Sequence, residues 1–234
     1  MRKFLTARWQ DLIMANYLVS PEILQNLVPC GTELDFWEGE CYASLVAFKF
    51  IDTAVLGFRV PFHINFEEIN LRFYVRREIA GETRRGVVFV KEIVPRRAIC
   101  FVANALYGEK YEAWRTGHKQ TETSLAYFWS KGGCNNQIAV KFGENSGVPE
   151  TDSHGEFIIE HYWGYTKRGT NRTDEYKVEH PKWELKAVKN AEIAVDFGAT
   201  YGREFAFLNK EEPRSILLAE GSPISVYKGA KIIL

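Results

Sequence analysis

Residues 62–77 constrain the fold more than any other stretch, because their side chains alternate between apolar and polar. Successive side chains of a β-strand point to opposite faces, so this alternation predicts a strand with two unlike faces. The apolar face would carry Ile69, Leu71, Phe73 and Val75, and the polar face Glu68, Asn70, Arg72 and Tyr74. Two interpretations of the polar face are open. The alternation alone favours a solvated sheet surface, and the alternative is a polar stripe that lines a cavity.

A hairpin is the strongest prediction of local topology. A second β pattern occupies residues 85–94, and Gly81 lies in the turn that separates it from the first strand. Much of the remaining chain also has β patterns, separated by turns that contain glycine or proline. We find no internal repeat and no linker. The sequence therefore predicts a mainly β fold, a β-rich α+β domain that covers residues 1–234.

Two helices interrupt this β pattern. Apolar side chains in residues 95–108 recur at helical spacing, with Pro95 at the start and Gly108 at the end. This pattern predicts one buried helix at about 95–108, packed on the sheet. Ser20 is a favoured N-cap and is followed by proline, which predicts a short N-terminal helix at about 21–28.

The composition excludes several classes of partner. The chain has 30 basic and 30 acidic residues, so its charge does not indicate a nucleic acid or an anionic membrane as a partner. No apolar run reaches the roughly eighteen residues of a membrane span, and the first residues do not form a signal peptide. The four cysteines form no paired motif, and we expect buried, reduced thiols. These features predict a cytoplasmic protein.

Sequence motifs of common catalytic and cofactor sites are missing. The chain has no nucleophile elbow, no nucleotide-binding loop and no HExxH motif. We expect His161 and the other histidines to be structural or exposed rather than metal ligands. Glu67 and Glu68 cannot act as a carboxylate pair, because neighbours on a strand point to opposite faces. No metal ion and no organic cofactor is predicted.

Several segments together resemble a known family. The segments SPEILQNLVPCG, NFEEINLRFYVR, RGVVFVKEIV, ANALYGEKY and HPKW follow one another along most of the chain. In this order they resemble the YqjF-like family of uncharacterised bacterial proteins, which is similar to acetoacetate decarboxylase. The resemblance implies a closed, double-barrel-like antiparallel sheet around an enclosed cavity. It also allows a homo-oligomer.

The resemblance bears on the chemistry as well. Acetoacetate decarboxylase acts through a lysine that forms a Schiff base with a β-keto acid, and a neighbouring lysine lowers its pKa. The resemblance puts Tyr111 and Glu112 at the positions of this lysine pair, with Lys110 one position earlier. In an extended segment, a one-residue offset turns a side chain to the other face. Glu68 matches the family's active-site glutamate. The resemblance therefore implies a retained cavity that lacks the Schiff-base lysine.

Three hypotheses about function remain open at this stage. In the first, Glu68, Tyr111 and Glu112 catalyse a lyase, isomerase or hydrolase reaction on a small keto or hydroxy acid. The substrate would be bound by the polar residues Asn70, Arg72, Tyr74 and Lys110. In the second, the same cavity binds a small molecule without turnover. In the third, a bulge brings Lys110 into the cavity, and an imine-forming decarboxylase results.

Overall fold

The computed structural model describes residues 2–233, apart from the side chains of residues 106 and 107. The strands, in chain order, are β1 (Lys3–Leu18), β2 (Glu33–Leu34), β3 (Tyr42–Val55), β4 (Phe66–Ile79), β5 (Glu82–Val94), β6 (Tyr111–Ala113), β7 (Arg115–Gln120), β8 (Ser124–Lys131), β9 (Cys134–Gly147), β10 (Trp163–Lys167), β11 (Arg172–Glu179), β12 (Leu185–Ala194), β13 (Ser215–Tyr227) and β14 (Ala230–Ile233). The helices are α1 (Pro21–Gln25), α2 (Arg97–Tyr107), α3 (His154–Ile159), α4 (Phe197–Tyr201) and a 3-10 helix at Arg203–Lys210. The predicted mainly β fold is confirmed.

Part of the sheet closes into a ring of hydrogen-bonded strands. The order around the ring is β11, β10, β5, β4, β3, β1 and β13, and β13 pairs back to β11 where Val226 lies opposite Val178. From β13 the sheet continues beyond the ring through β12, β9, β8 and β7. Within residues 2–233, the strand pairings thus close one ring, and the strands β12, β9, β8 and β7 form the half of the sheet that extends from it.

The sheet is mixed, which corrects the prediction of an antiparallel one. Both β10 and β6 pair with β5 in parallel. A parallel pair needs a crossover connection, and β6 follows β5 through the helix α2. The predicted β4–β5 hairpin is present, with Ile79 opposite Glu82 at the turn.

The strand β4 is buried on both faces over most of its length. Its polar side chains point into the ring, where Glu68 is 2% exposed and Arg72 is 8% exposed. Its apolar side chains, including Phe73, pack in a second core with Trp129 of β8 and Phe197 of α4. The interpretation of the polar face as a solvated surface is therefore wrong, because ring closure encloses it.

The first helix is shorter than the predicted range of 21–28. It starts with Pro21 after the N-cap Ser20, as expected, and ends at Gln25. The backbone N–H of Leu27 then bonds the carbonyl of Leu24, three residues back, so the chain continues as a turn. None of the described helices is long and apolar enough to cross a membrane.

The second helix ends as predicted but is not buried. Gly108 follows it in the left-handed conformation, with φ of 63°, and its N–H bonds the carbonyl of Asn104. Among its described side chains Cys100 alone is buried, whereas Phe101 is 76% exposed. The prediction of a buried helix is wrong. The apolar stripe of α2 faces a cavity and is not covered by packed side chains, so most of the helix stays accessible. That stripe consists of Ala98, Ile99, Val102 and Ala103.

Candidate ligand-binding cavity

The ring surrounds a cavity of about 270 Å³. Every strand of the ring contributes to its wall, with Trp9 from β1, Phe50 from β3, Glu68 and Arg72 from β4, Phe89 and Glu92 from β5, Trp163 from β10, Tyr176 from β11 and Val226 from β13. The loop at 57–63 and the helix α2 supply its more exposed part, where Phe58 is 77% and Val102 is 42% exposed. We infer that the cavity opens to solvent on this side. A mostly apolar wall with a few convergent polar groups is typical of a small-molecule site.

Strand register brings polar side chains together on one part of the wall. Asn70 lies opposite Glu92 on the neighbouring strand, and Glu92 lies opposite Tyr111 on the next. Glu68 is two residues from Asn70 and shares its face. Asn70 Nδ2 donates to Glu68 Oε1 at 3.0 Å, and the Tyr111 hydroxyl donates to Glu68 Oε2 at 3.0 Å. Both oxygens of this buried carboxyl group are therefore bonded.

A bulge in β5 turns Glu92 into the cavity. The register between β4 and β5 shifts between Leu71 and Arg72. As a result Phe89 and Glu92, which are three residues apart, both line the cavity. On a regular strand this odd spacing would separate them onto opposite faces. The Oε2 atom of Glu92 is buried and has no hydrogen-bond partner among the described residues.

A third carboxyl group, that of Glu109, enters from the connection between α2 and β6. Thr166 Oγ1 donates to Glu109 Oε1 at 2.6 Å, and the Tyr176 hydroxyl is also hydrogen-bonded to this carboxyl group. Gly164 lies opposite Tyr176 in the pairing of β10 with β11. A Cβ atom at Gly164 would lie 2.1 Å from Cζ of that tyrosine, so the glycine leaves room for the ring. Three carboxyl groups thus face one cavity.

Burial raises the pKa of all three carboxyl groups, because loss of water disfavours the charged form. The pKa of Glu68 rises to about 7, since its hydrogen bonds offset the burial only in part. Burial likewise raises the pKa of Glu109 to about 7. The pKa of Glu92 is raised well above its ordinary value by burial and by the nearby Glu109. Burial also raises the pKa of Tyr111 far enough that its hydroxyl stays protonated at neutral pH.

Arg72 and His161 are two of the nitrogen-bearing side chains on the cavity wall. Arg72 is the one arginine or lysine among the lining residues that the structure describes, and its guanidinium donates to the carbonyl of Ile158 at 3.3 Å. His161 is buried and also lines the cavity, with Nε2 3.5 Å from a carboxylate oxygen of Asp35. Burial lowers the pKa of His161 to about 4, so the ring is neutral at pH 7.

The structure brings together four of the site residues predicted from the sequence. Those that line the cavity are Glu68, Arg72 and Tyr111, and Asn70 contacts them through Glu68. Tyr74 is fully buried but does not line the cavity, and its hydroxyl hydrogen-bonds the Ser44 hydroxyl at 2.6 Å. Glu67 points away from Glu68, as the strand geometry predicts, and contacts His118 at 2.7 Å.

Lys110 and Glu112, which flank Tyr111, do not line the cavity. Glu112 is bonded to Lys91 at 2.9 Å and to Lys131 at 3.0 Å. Although partial burial opposes them, these contacts lower the pKa of Glu112 to about 2. Lys110 is exposed. The alternation of a strand therefore selects Tyr111 alone from this segment for the cavity.

Sequence reasoning missed several lining residues, namely Glu92, Glu109, His161 and Tyr176. One signal pointed to Glu92, because it is the one acid in the β pattern at 85–94, and a buried acid is rare without a function or a partner. For Glu109 no periodic pattern exists, since it lies in a connection. His161 and Tyr176 reach the cavity only through the closure of the ring.

Comparison with known proteins identifies the family. Residues 6–223 match the family DUF2071, described as "Uncharacterized conserved protein (COG2071)". A search of the curated proteins finds no match.

Among solved structures, the enduracididine biosynthesis enzyme MppR complexed with pyruvate is 12% identical, with a TM-score of 0.68 over 99% of this chain and 91% of that chain. Acetoacetate decarboxylase from Legionella pneumophila subsp. pneumophila str. Philadelphia 1 is 11% identical, with a TM-score of 0.69 over 99% and 88%. An acetoacetate decarboxylase-like enzyme from Sphingomonas wittichii RW1 is 13% identical, with a TM-score of 0.58 over 99% and 92%.

At these identities the solved structures show the fold and nothing finer. They confirm the resemblance to acetoacetate decarboxylase that the sequence segments indicate. The family match covers almost the whole chain and agrees with this fold. The chain therefore belongs to the DUF2071 family and has an acetoacetate decarboxylase-like fold.

Proposed function

We propose that the protein catalyses proton transfer next to the carbonyl group of a small keto or hydroxy acid, without an imine between substrate and lysine. The observation that carries this proposal is Glu68, a carboxyl group with a pKa of about 7 that faces an apolar cavity and bonds the Tyr111 hydroxyl. A group whose pKa lies near the working pH is present in both forms and can accept and return a proton. The binding of pyruvate by a protein of the same fold supports a small keto acid as the ligand class.

Glu68, Tyr111 and Arg72 each have a role in the proposed reaction. The Glu68 carboxylate takes the proton from the carbon next to the carbonyl group, and the C–H electron pair forms the double bond of an enolate. When the substrate is bound, the hydroxyl of Tyr111 rotates from Glu68, its partner in the free site, and donates its one proton to a hydrogen bond with the enolate oxygen. Arg72 pairs with the substrate carboxylate. In a substrate with a hydroxyl group next to the keto group, the hydroxyl proton moves to the enolate oxygen and return of the carbon-bound proton to the other carbon isomerises the substrate. In a substrate with a hydroxyl group one carbon further, the enolate electron pair expels that group, which leaves as water with the proton held by Glu68, and this completes an elimination.

The lining of the cavity supports a route without a Schiff base. Imine formation needs a neutral amine that reaches the carbonyl carbon. Lys110 is exposed, and no lysine lines the cavity in the part of the chain that the structure describes. To insert Lys110, the segment would have to turn over and break the hydrogen bond between Tyr111 and Glu68. The decarboxylase alternative therefore requires a rearranged site.

Ligand binding without turnover is the candidate from a different class. It is favoured by the two hydrogen bonds that already occupy both oxygens of Glu68. In this alternative the bonds from Asn70 and Tyr111 hold a rigid polar wall, and the carboxyl group orients a ligand. The two functions differ in one observable, since proton exchange on the ligand occurs only in the first.

The test follows proton exchange on a keto acid. Pyruvate or 2-oxobutanoate is incubated with the protein in D₂O, and loss of the signal of the protons next to the carbonyl is followed by NMR. We expect exchange above background, and a decrease of about 100-fold or more in Glu68→Gln. Glu67→Gln changes the adjacent carboxyl group that points away from the cavity, and serves as the matched control.

Reduction with borohydride completes the test. The same mixtures are treated with borohydride, and the intact mass is recorded. We expect no adduct, whereas a lysine-linked adduct would contradict the proposed route and restore the decarboxylase mechanism. Ligand binding without any proton exchange would favour the binding alternative.

A further inference from the structure

The cavity contains more carboxyl groups than the proposed reaction uses. Glu68 acts with Tyr111, which leaves Glu92 and Glu109 without a role in proton transfer. Both line the cavity, and their exposed fractions are 2% and 9%. Removing a carboxylate from water costs free energy unless a partner compensates for it. Their presence on this wall therefore calls for an explanation.

Glu92 itself points to a ligand. Its Oε2 atom is buried on the cavity wall and has no hydrogen-bond partner among residues 2–233 as described. Most buried polar atoms in proteins have a partner, so this atom is suited to receive one from the cavity. Glu109 is the neighbouring acid, and the two carboxyl groups affect each other's ionisation. The opening between α2 and the loop at 57–63 gives a ligand access to both.

The lining residues themselves supply little positive charge, although Arg168 and Lys110 act on Glu109 from outside the lining. Arg72 is the one arginine or lysine among the described lining residues, and it already donates to a backbone carbonyl. His161 and His180 also line the cavity, but burial lowers the pKa of each, so both rings are neutral at pH 7. A cation in the cavity would favour the ionised form of these acids, which burial otherwise disfavours, and would pair with it.

The surroundings suit an organic cation. No group of three acidic, histidine or cysteine side chains among the described residues is arranged to hold a metal ion. The wall beside the acids is aromatic and includes Tyr111, Trp163 and Tyr176. Aromatic faces attract cations, and an ammonium group offers several N–H donors to carboxylates that are spaced apart.

We propose that the cavity binds an organic ammonium group through Glu92 and Glu109. This inference rests on the proposed function in one respect, since it specifies the substrate as a small keto or hydroxy acid that also carries a protonated amine. Its carboxylate would pair with Arg72, and its ammonium group with the two acids. Glu68 then remains available for proton transfer.

The test compares a cation with a neutral molecule of the same size. Binding of n-butylammonium and of n-butanol to the full chain is measured by isothermal titration calorimetry near pH 7.5. We expect n-butylammonium to bind at least tenfold more tightly. Glu92→Gln and Glu109→Gln should each weaken ammonium binding at least tenfold and leave butanol binding unchanged. Glu67→Gln, outside the cavity, should bind both molecules as the parent protein does.

Equal affinity of the parent protein for the two probes would overturn the inference. So would unchanged ammonium binding in both Gln variants, provided that thermal denaturation shows them folded. If a variant does not fold, the comparison of probes on the parent protein still decides. If ammonium binds but pyruvate shows no exchange that depends on Glu68, the proposed function fails while the cation site stands. If exchange depends on Glu68 but ammonium does not bind selectively, the proposed function stands and the cation site fails.

Discussion

The two faces of β4 are buried in different ways. On one face Ile69, Leu71 and Phe73 are fully buried in the apolar core formed with the extended half of the sheet. On the other face Glu68 and Arg72 are buried almost as deeply, but they line a cavity. One strand thus contributes to stability through one face and to the candidate site through the other.

The difference between the faces is energetic. Burial of a large apolar side chain contributes roughly 1.5–3 kcal/mol to stability. A carboxyl group such as Glu68 loses its hydration on burial and recovers part of the cost through the donors Asn70 and Tyr111. Substitutions on the apolar face should therefore change stability, whereas conservative substitutions on the cavity face should change activity.

Phe73→Ala on the apolar face should have the largest effect on folding. The side chain has no exposed surface, so truncation removes its burial and leaves a space in the core. We expect the free energy of unfolding to fall by about 3–5 kcal/mol, measured by urea denaturation. Phe101→Ala, at a side chain that is 76% exposed, is the control and should change it by less than about 0.5 kcal/mol. A loss below about 1 kcal/mol for Phe73→Ala would contradict the comparison.

Glu68→Gln on the cavity face should separate activity from stability. The amide keeps an oxygen to accept from Asn70 but cannot accept a proton from the substrate. Keto-acid exchange should fall by about 100-fold or more. The free energy of unfolding near pH 8 should stay the same or increase, because a neutral amide loses less hydration than a carboxylate. A collapse of folding would instead assign Glu68 a structural role.

Gly164→Ala tests how the cavity wall is assembled. The new Cβ atom would lie 2.1 Å from Cζ of Tyr176, whose ring must then move away from Glu109. We expect a loss of about 1–3 kcal/mol in thermal or urea unfolding, and a displaced tyrosine in a crystal structure. The control is Gly143→Ala, where the Cβ atom would meet the flexible end of Lys189. Equal losses of stability in the two variants would show that the contact with Tyr176 does not determine the loss at Gly164.

The pH dependence of stability should distinguish the two faces by a smaller effect, because the cavity face carries the titratable Glu68. In the unfolded chain Glu68 has its ordinary pKa of 4.5, whereas in the folded protein its pKa is about 7. The unfolded state therefore loses this proton first, so the contribution to stability is complete below pH 4.5 and is lost as the pH rises to about 7. We expect a decrease on the order of 1–3 kcal/mol from this group.

Urea denaturation at several pH values measures this contribution as a difference between two proteins. Glu68→Gln should gain stability relative to the parent protein between pH 4.5 and about 7. The difference should level off at higher pH. A constant difference over the whole range would mean that Glu68 titrates alike in the folded and unfolded states.

Local patterns could predict the parts of the fold that depend on local geometry. Alternation placed Glu68 and Arg72 on one face of β4, and the same period turned Lys110 away from Tyr111. Glu112 was expected to act beside Tyr111, and the structure instead places it outside the cavity. The left-handed Gly108 at the end of α2 follows from residue chemistry alone. These predictions needed no information about distant parts of the chain.

The rest depended on contacts between distant segments. Alternation cannot tell water from a cavity, and the pairing of β13 with β11 decides that the polar face is enclosed. Glu92 enters through a bulge that breaks the period of two, and Glu109 lies in a connection without a period. The helical stripe at 95–108 indicated a covered face, but it could not show that a cavity lies beneath it.

The most direct test of the account is the pKa of Glu68 in the folded protein. Titration of ¹³C-labelled glutamate carboxyl groups by NMR would follow it, and Glu68→Gln would assign its signal. The account predicts a carboxyl signal that titrates near pH 7 and is missing in the variant. A Glu68 signal that titrates near pH 4.5 would contradict the proposal that this residue transfers protons in the cavity.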